Sequence, residues 1–201
     1  MSLIGCRTVR VKAMSRNTHG KLTAHIERKA SGIVRRRIEA LPIGGKMQDL
    51  PEELWHPSFA RYMADETRVG GPNLRMIRLD PDEPSLTVTG YIFNKFVHPY
   101  EDRFITPREA ARLQDFPDDF VFAGTMTSIH RQVGNAVPVR LANAVAHAVM
   151  ESGRQNGVIT SGTPCLSLFS GAGGMDLGFE QAGFQVPRHL KWKQVYRACR
   201  R

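Results

Sequence analysis

Apolar and polar residues alternate with the period of a strand in Met76-Ile77-Arg78-Leu79 and again in Leu86-Thr87-Val88-Thr89, with the proline-rich turn 80–84 between them. Helical spacing takes over farther along. Thr106 is a good N-cap, Pro107 suits the first helical position, and Glu109 stands three residues after the cap, where it completes a capping box. Ala110, Ala111, Leu113 and Gln114 continue this helix until Phe116-Pro117 stops it. Leu141, Ala142, Val145, Ala146 and Val149 recur at helical spacing and predict a second helix from about Val139 to Met150 with one apolar face. The apolar run Leu166-Ser167-Leu168-Phe169 reads as a buried strand. Ser170-Gly171-Ala172-Gly173-Gly174 then reads as a glycine turn opening a helix, whose Met175, Leu177 and Phe179 are assigned to packing.

The remainder is less periodic. Residues 1–40 mix Ser, Thr, Gly and basic residues and are expected to be flexible, or the edge of a ligand-contacting region. Between 38 and 59 a Gly44-Gly45 turn precedes Asp49, which is expected to cap a short helix with Pro51 in its first turn. Val69-Gly70-Gly71-Pro72-Asn73 is a loop, and 152–163 a linker.

Charge sharpens this outline. The net charge is +9, but residues 1–40 hold ten Lys/Arg against Glu27 and Glu39, and residues 187–201 hold six Lys/Arg and no acid, so the middle of the chain is net acidic. Basic ends suit a polyanion, since each phosphate neutralised releases condensed counterions. Arg35, Arg36 and Arg37 read either as phosphate contacts or as part of a solvated tail, and Arg75 belongs to a short candidate recognition segment over 70–78. Cys6, Cys165 and Cys199 are scattered and odd in number, which argues against a disulfide framework and against a zinc site, so no metal is expected. No run of eighteen apolar residues and no signal pattern occurs, so the expectation is a soluble intracellular protein without a membrane partner.

The stretch RFITPREAARLQDFPDDF at 103–120, followed by RQVGNAVP at 131–138, resembles the two C-terminal signature motifs of the cytosine-5 DNA methyltransferases, and LSLFSGAGGMDLGFEQAGF at 166–184 resembles the first motif of that family. The order is circularly permuted, because in the usual family order the glycine motif stands near the N-terminus and the other two close the chain. The resemblance implies an α/β fold: a partial Rossmann-like, S-adenosylmethionine-dependent methyltransferase fold with part of a small DNA-recognition domain. The divisions expected are 1–74, a basic segment at the edge of the recognition region; 75–151, the C-terminal motifs and closing helix; 152–163, the linker; and 164–201, the first strand, turn and helix of the cofactor-binding domain.

By the same resemblance the cofactor is S-adenosylmethionine, and its pocket takes in Phe169, Ser170, Gly171, Ala172, Gly173, Gly174 and Trp192 from one motif and Asn135, Ala136 and Val137 from the other. Glycines let a backbone turn tightly and approach a ligand, and a helix N-terminus offers free N–H groups to a carboxylate. Asn135 presents both a donor and an acceptor near cofactor and target base, and it also fits a plain helix cap. Trp192 stands where the family lays an apolar residue on the adenine. Lys191 stands where it uses an acid on the ribose, a role that a lysine, which only donates, does not fit. Arg108, Glu109 and Arg112 are read as structural ion pairs in preference to base contacts.

The family's nucleophile, a cysteine in Pro-Cys-Gln, is absent, as are its Glu-Asn-Val and Gln-x-Arg-x-Arg motifs. Pro164-Cys165 is followed by Leu166, and Cys165 reads as a core cysteine at a strand start. The expected function is therefore one part of a DNA (cytosine-5-)-methyltransferase of a restriction-modification system in the prokaryotic cytoplasm or nucleoid. Its partners would be double-stranded DNA and a complementary polypeptide carrying the missing motifs, with no catalytic residue of its own. The alternative is a non-catalytic DNA-binding or interaction remnant of such an enzyme.

Overall fold

The computed structural model describes residues 22–65, 67, 76–89, 95–168 and 170–186. In chain order its elements are α1 (Gly32–Ala40), two 3-10 turns (Met47–Asp49 and Glu52–Leu54), α2 (Pro57–Ala64), β1 (Ile77–Arg78), β2 (Phe96–Val97), α3 (Pro107–Leu113), α4 (Met126–Gly134), α5 (Val139–Gln155) and α6 (Gly174–Gln181).

The N-terminal third departs from expectation. Residues 32–40 are helical, and the inward-facing Ile38 joins Leu41, Met47, Leu50, Leu54, Phe59, Met76, Val97 and Phe104 in one buried cluster. Asp49 caps no helix. It closes a 3-10 turn by accepting the Lys46 N–H at 2.7 Å, and α2 is capped instead by His56, whose ring nitrogen accepts from the Ser58 N–H. Buried Arg78 ties the cluster to its surroundings: its guanidinium donates to the carbonyls of Ile38 and Leu41 at the end of α1, at 2.6 and 2.7 Å, and pairs with Asp102 at 2.6 Å. A cation on those carbonyls also complements the negative end of the helix dipole.

β1 pairs in parallel with β2, with Ile77 opposite Phe96 and Arg78 opposite Val97. The expected strand at 86–89 does not form. Val88 is buried in the central cluster, but residues 85–89 join no ladder and Leu86 is exposed, because the place beside β1 is taken by Phe96–Val97. That central cluster runs through Ile77, Phe96, Ile105, Ala110, Leu113, Phe116, Ile129, Val133 and Val139, so α3, α4 and the start of α5 share a single interior.

The last segment is built around α6. A parallel bridge joins Pro164 to Gln185, with Cys165 N–H donating to the Gln185 carbonyl at 2.7 Å and Gln185 N–H to the Thr163 carbonyl at 3.0 Å. Extended chain, helix and parallel extended chain follow one another here, the arrangement of a βαβ unit. α5 is longer than expected and runs to Gln155, which shortens the connection before Pro164. The buried strand expected at Leu166–Phe169 is not seen among its described residues: 166–168 join no ladder, and Leu166 and Leu168 are 57% and 69% exposed, since no described strand covers the side on which they lie.

Candidate functional site

The capping box at Thr106 forms as expected, with the Thr106 hydroxyl accepting from Glu109 N–H and the Glu109 carboxylate accepting from Thr106 N–H at 2.7 Å. Glu109 also binds Arg103 at 2.8 Å. Burial pushes the Glu109 carboxyl up, but the hydrogen bonds from Arg103 and from the Thr106 backbone outweigh it and leave the group below the ordinary glutamate range. Arg112 pairs with Asp118 at 2.7 Å. Arg108, with no exposed surface, holds no acid; it donates to the carbonyls of Thr23, Pro117 and Phe120 and to the Thr23 hydroxyl, and thereby shapes the loop after α3.

That scaffold positions the Asn135 turn. Gln114, 5% exposed, donates from its side chain to the carbonyls of Val133, at 3.1 Å, and Ala136, at 3.4 Å, while its own carbonyl accepts the Val139 N–H at 3.0 Å. One residue at the end of α3 thus fixes the end of α4, the turn and the start of α5. Gln114 received no such role in the sequence reading; the available signal was a long amide placed where the helix turns its apolar side inward. Asn135 itself is exposed and sits at the C-cap of α4, so its backbone closes the preceding helix and does not start the next, which begins after Pro138.

The glycine turn has the geometry its sequence demands. Gly171 and Gly173 have φ of +54° and +82°, a region that side chains disfavour, and the Gly173 N–H closes the turn onto the Ser170 carbonyl at 2.7 Å. Around Gly171 there is open space where a side chain would stand. Gly173 is the N-cap of α6, so the first-turn N–H groups of that helix follow the turn directly. Asp176, buried in the first turn of α6, accepts from the Ser167 hydroxyl, and that hydroxyl lies 3.3 Å from Ser170 Oγ. The segment before the turn, the turn and the helix are thereby stitched together by an acid that the sequence pattern does not single out. Met175, assigned to packing, is 45% exposed, whereas Leu177 and Phe179 pack against the core clusters.

Two glycines bring the motif regions together. A Cβ on Gly174 would fall on the Val137 carbonyl oxygen and lie 3.1 Å from the Phe116 ring. A Cβ on Gly178 would stand 2.6 Å from the Asn143 nitrogen and 2.7 Å from the Val139 carbonyl. Only hydrogen at these positions lets α6 seat on the start of α5, where Asn143 donates to the Gly178 carbonyl at 3.2 Å. Ala172, Gly173, Gly174 and Val137 are therefore on adjoining backbone, with Ala136 one step away on the Gln114 clamp. A polar cleft of about 250 Å³ adjoins this contact, lined by Arg112, Asp115, Phe116, Val139, Arg140 and Asn143; it holds none of the glycine-turn residues and falls short of the roughly 300 Å³ at which small-molecule pockets begin.

Other expected site residues fare differently. Phe169, Trp192 and Lys191, Arg75 and the basic segment 187–201 lie outside the described residues. Arg35 and Arg36 are exposed, Arg35 in an ion pair with Glu39 at 2.7 Å. Arg37 is turned inward, 7% exposed, and donates its guanidinium hydrogens to the carbonyls of Leu54 and Trp55, unlike the exposed Arg35 and Arg36. Burial, reinforced by the negative charge of Asp176, pushes the Cys165 thiol up and so disfavours the nucleophilic thiolate. Among the described residues no group of three or more His, Cys, Asp or Glu could hold a metal ion, and no helix is long and apolar enough to cross a membrane.

Several type II methyltransferases are similar to part of this chain. It is 43% identical over 117 residues to the type II methyltransferase M.Eco47II of Escherichia coli, a match covering 56% of this chain and 27% of that protein. A putative type II methyltransferase of Methanocaldococcus jannaschii, M.MjaORF1200P, is 42% identical over 98 residues, covering 49% of this chain and 25% of its own length. The type II methyltransferase M.AquIB of Picosynechococcus sp. is 45% identical over 100 residues, covering 44% of this chain but 70% of its own length, so that relative is itself a short chain. Against the first two, this chain spans only about a quarter of their length. Residues 11–151 match the family described as C-5 cytosine-specific DNA methylase. With well over half of its residues in that match, the chain belongs to the C-5 cytosine-specific DNA methylase family.

Proposed function

We propose that this chain is one part of a DNA (cytosine-5-)-methyltransferase that moves a methyl group from S-adenosylmethionine to cytosine in double-stranded DNA, and that it works with a complementary polypeptide supplying the catalytic cysteine. The observation that supports this best is the seating of α6 on α5 through Gly174 and Gly178, which sets the glycine turn against the Ala136–Val137 backbone. A permuted motif order is compatible with one pocket only if those two regions meet, and they do. The short relative M.AquIB, 70% of which is matched, adds that this part of the family occurs in a chain of its own.

The residues of the turn fit the amino-acid end of the cofactor. Gly171 leaves open space over the backbone, and the N–H groups of the first turn of α6 offer donors and a positive dipole end to a carboxylate. The cofactor, when bound, supplies the methyl group. The chain's own residues hold and orient it: Asp176 and Ser167 keep the turn fixed on its helix, and Gln114 keeps the Asn135 turn beside it. Attack on the cytosine ring requires a thiolate, and Cys165, with its thiol pushed up by burial, is a poor source of one. The target base has to leave the duplex stack to be reached, and the exposed Arg35 and Arg36 serve phosphate contact.

The test is transfer of tritium from labelled S-adenosylmethionine to mixed-sequence duplex DNA. The pure chain is expected to give none, and Gly173→Val is expected to abolish the cofactor binding that calorimetry detects while leaving the circular dichroism spectrum intact. Robust turnover by the pure chain would overturn the need for a second polypeptide.

The second reading, a non-catalytic DNA-binding remnant, is favoured by Lys191 in place of the ribose-binding acid. Absence of cofactor binding together with retained binding to duplex DNA would decide for it.

A further inference from the structure

α5 is apolar around far more of its circumference than the fold covers. Val139, Ala142, Ala146 and Met150 are buried, the last two in the cluster with Phe184 beside α6. Leu141, Val145 and Val149 form a second row at intervals of four residues and are 50%, 45% and 40% exposed, flanked by exposed Ala144 and Ala148. At about 100° per residue the two rows adjoin, so that roughly two thirds of the helix is apolar, and only the strip through Arg140, Asn143 and His147 is polar over its first turns. A helix with so little polar surface is one that a whole protein buries on more than one side. On this chain half of that surface faces outward.

We propose that the Leu141–Val145–Val149 face of α5 is the docking surface for the complementary polypeptide. This rests on the split-enzyme reading given above and adds where the two parts join. α5 lies inside the stretch 11–151 that matches the family, and the Escherichia coli relative carries roughly three quarters of its length outside its own matched stretch. In a whole relative that remainder is the polypeptide available to cover this face. The short relative M.AquIB, matched over 70% of its length, supports reading the cover as a second polypeptide.

The experiment co-expresses the full chain with the portion of M.Eco47II that lies outside its matched stretch, and reads complex formation by size-exclusion chromatography with light scattering and by titration calorimetry. A one-to-one complex is expected. Leu141→Glu, Val145→Glu and Val149→Glu combined should weaken it at least tenfold with no change in the helicity or melting of the isolated chain, whereas His147→Glu on the polar strip should leave it unchanged. A complex that the triple variant binds as tightly as the native chain would overturn this surface while keeping the split-enzyme reading. No complex and no methyl transfer would overturn both. A homodimer of the isolated chain, abolished by the triple variant, would assign the face to a second copy instead.

Discussion

The α3–α4 region lies inside the stretch 11–151 that matches the family, the segment leading into the glycine turn lies outside it, and the two stand in opposite physical states. Around α3 every residue from Phe104 to Gln114 is buried, and its charges meet partners within the region: Arg103 with Glu109, Arg112 with Asp118, and Arg108 with a set of carbonyls. The segment before the glycine turn presents Leu166 and Leu168 to solvent at 57% and 69% exposure. The first region is closed by residues drawn from along the chain, Ile77, Phe96 and Ala172 among them, whereas Leu166 and Leu168 are left uncovered by the described residues. A motif is thus no measure of how complete its surroundings are.

The contrast breaks most visibly at Arg108. Replacing it with alanine leaves the carbonyls of Thr23, Pro117 and Phe120 without their donor, and a loss of about 3–5 kcal/mol is expected from three hydrogen bonds to a charged donor, each worth about 1.5–3 kcal/mol at most. Urea unfolding of the isolated chain measures it; a loss below about 1 kcal/mol would show that the loop after α3 is not held by this side chain.

Gly178→Ala probes the seam between the two regions. A methyl group 2.6 Å from the Asn143 nitrogen has to push α6 off α5, and overpacking of this kind costs about 1–3 kcal/mol. The same variant should weaken binding of S-adenosylmethionine by separating the two turns, read by calorimetry; unaltered stability and binding would mean the helices slide apart without consequence.

The smallest effect belongs to the segment before the glycine turn. Leu166→Ser with Leu168→Ser is expected to change the stability of the isolated chain by less than about 0.5 kcal/mol, as exposed positions do. A larger loss in thermal melting would mean these side chains are already covered in solution and the contrast between the regions is false.

How much of this was legible follows the same division. The capping box Thr106–Glu109 and the start of α5 at Val139 depend on neighbours in sequence, and both appear where the pattern put them. α4 escaped notice although Met126, Ile129 and Val133 have helical spacing, because its end overlaps a motif read for its chemistry. α1 escaped because its basic run obscured the single deeply buried Ile38. The strand expected at 86–89 failed because pairing is decided by a competitor, Phe96–Val97, that local alternation does not reveal. Burial of Leu166 and Leu168 was a statement about a partner, and no pattern within the segment says whether that partner is present. At the site, the glycine turn was readable residue by residue, while the Gln114 clamp and the inward turn of Arg37 exist only through contacts with distant backbone.

The hydrogen bond from Asn143 to Gly178 spans only 35 positions of chain. Loop closure grows with the logarithm of length, so the same contact made across ten times as many residues would cost about 2 kcal/mol more in chain entropy. The α5–α6 pair is therefore a short-range contact in kinetic terms, able to form early and without waiting for a distant part of the polypeptide. Assembly of the glycine turn against the Asn135 turn is then governed by residues close together along the chain.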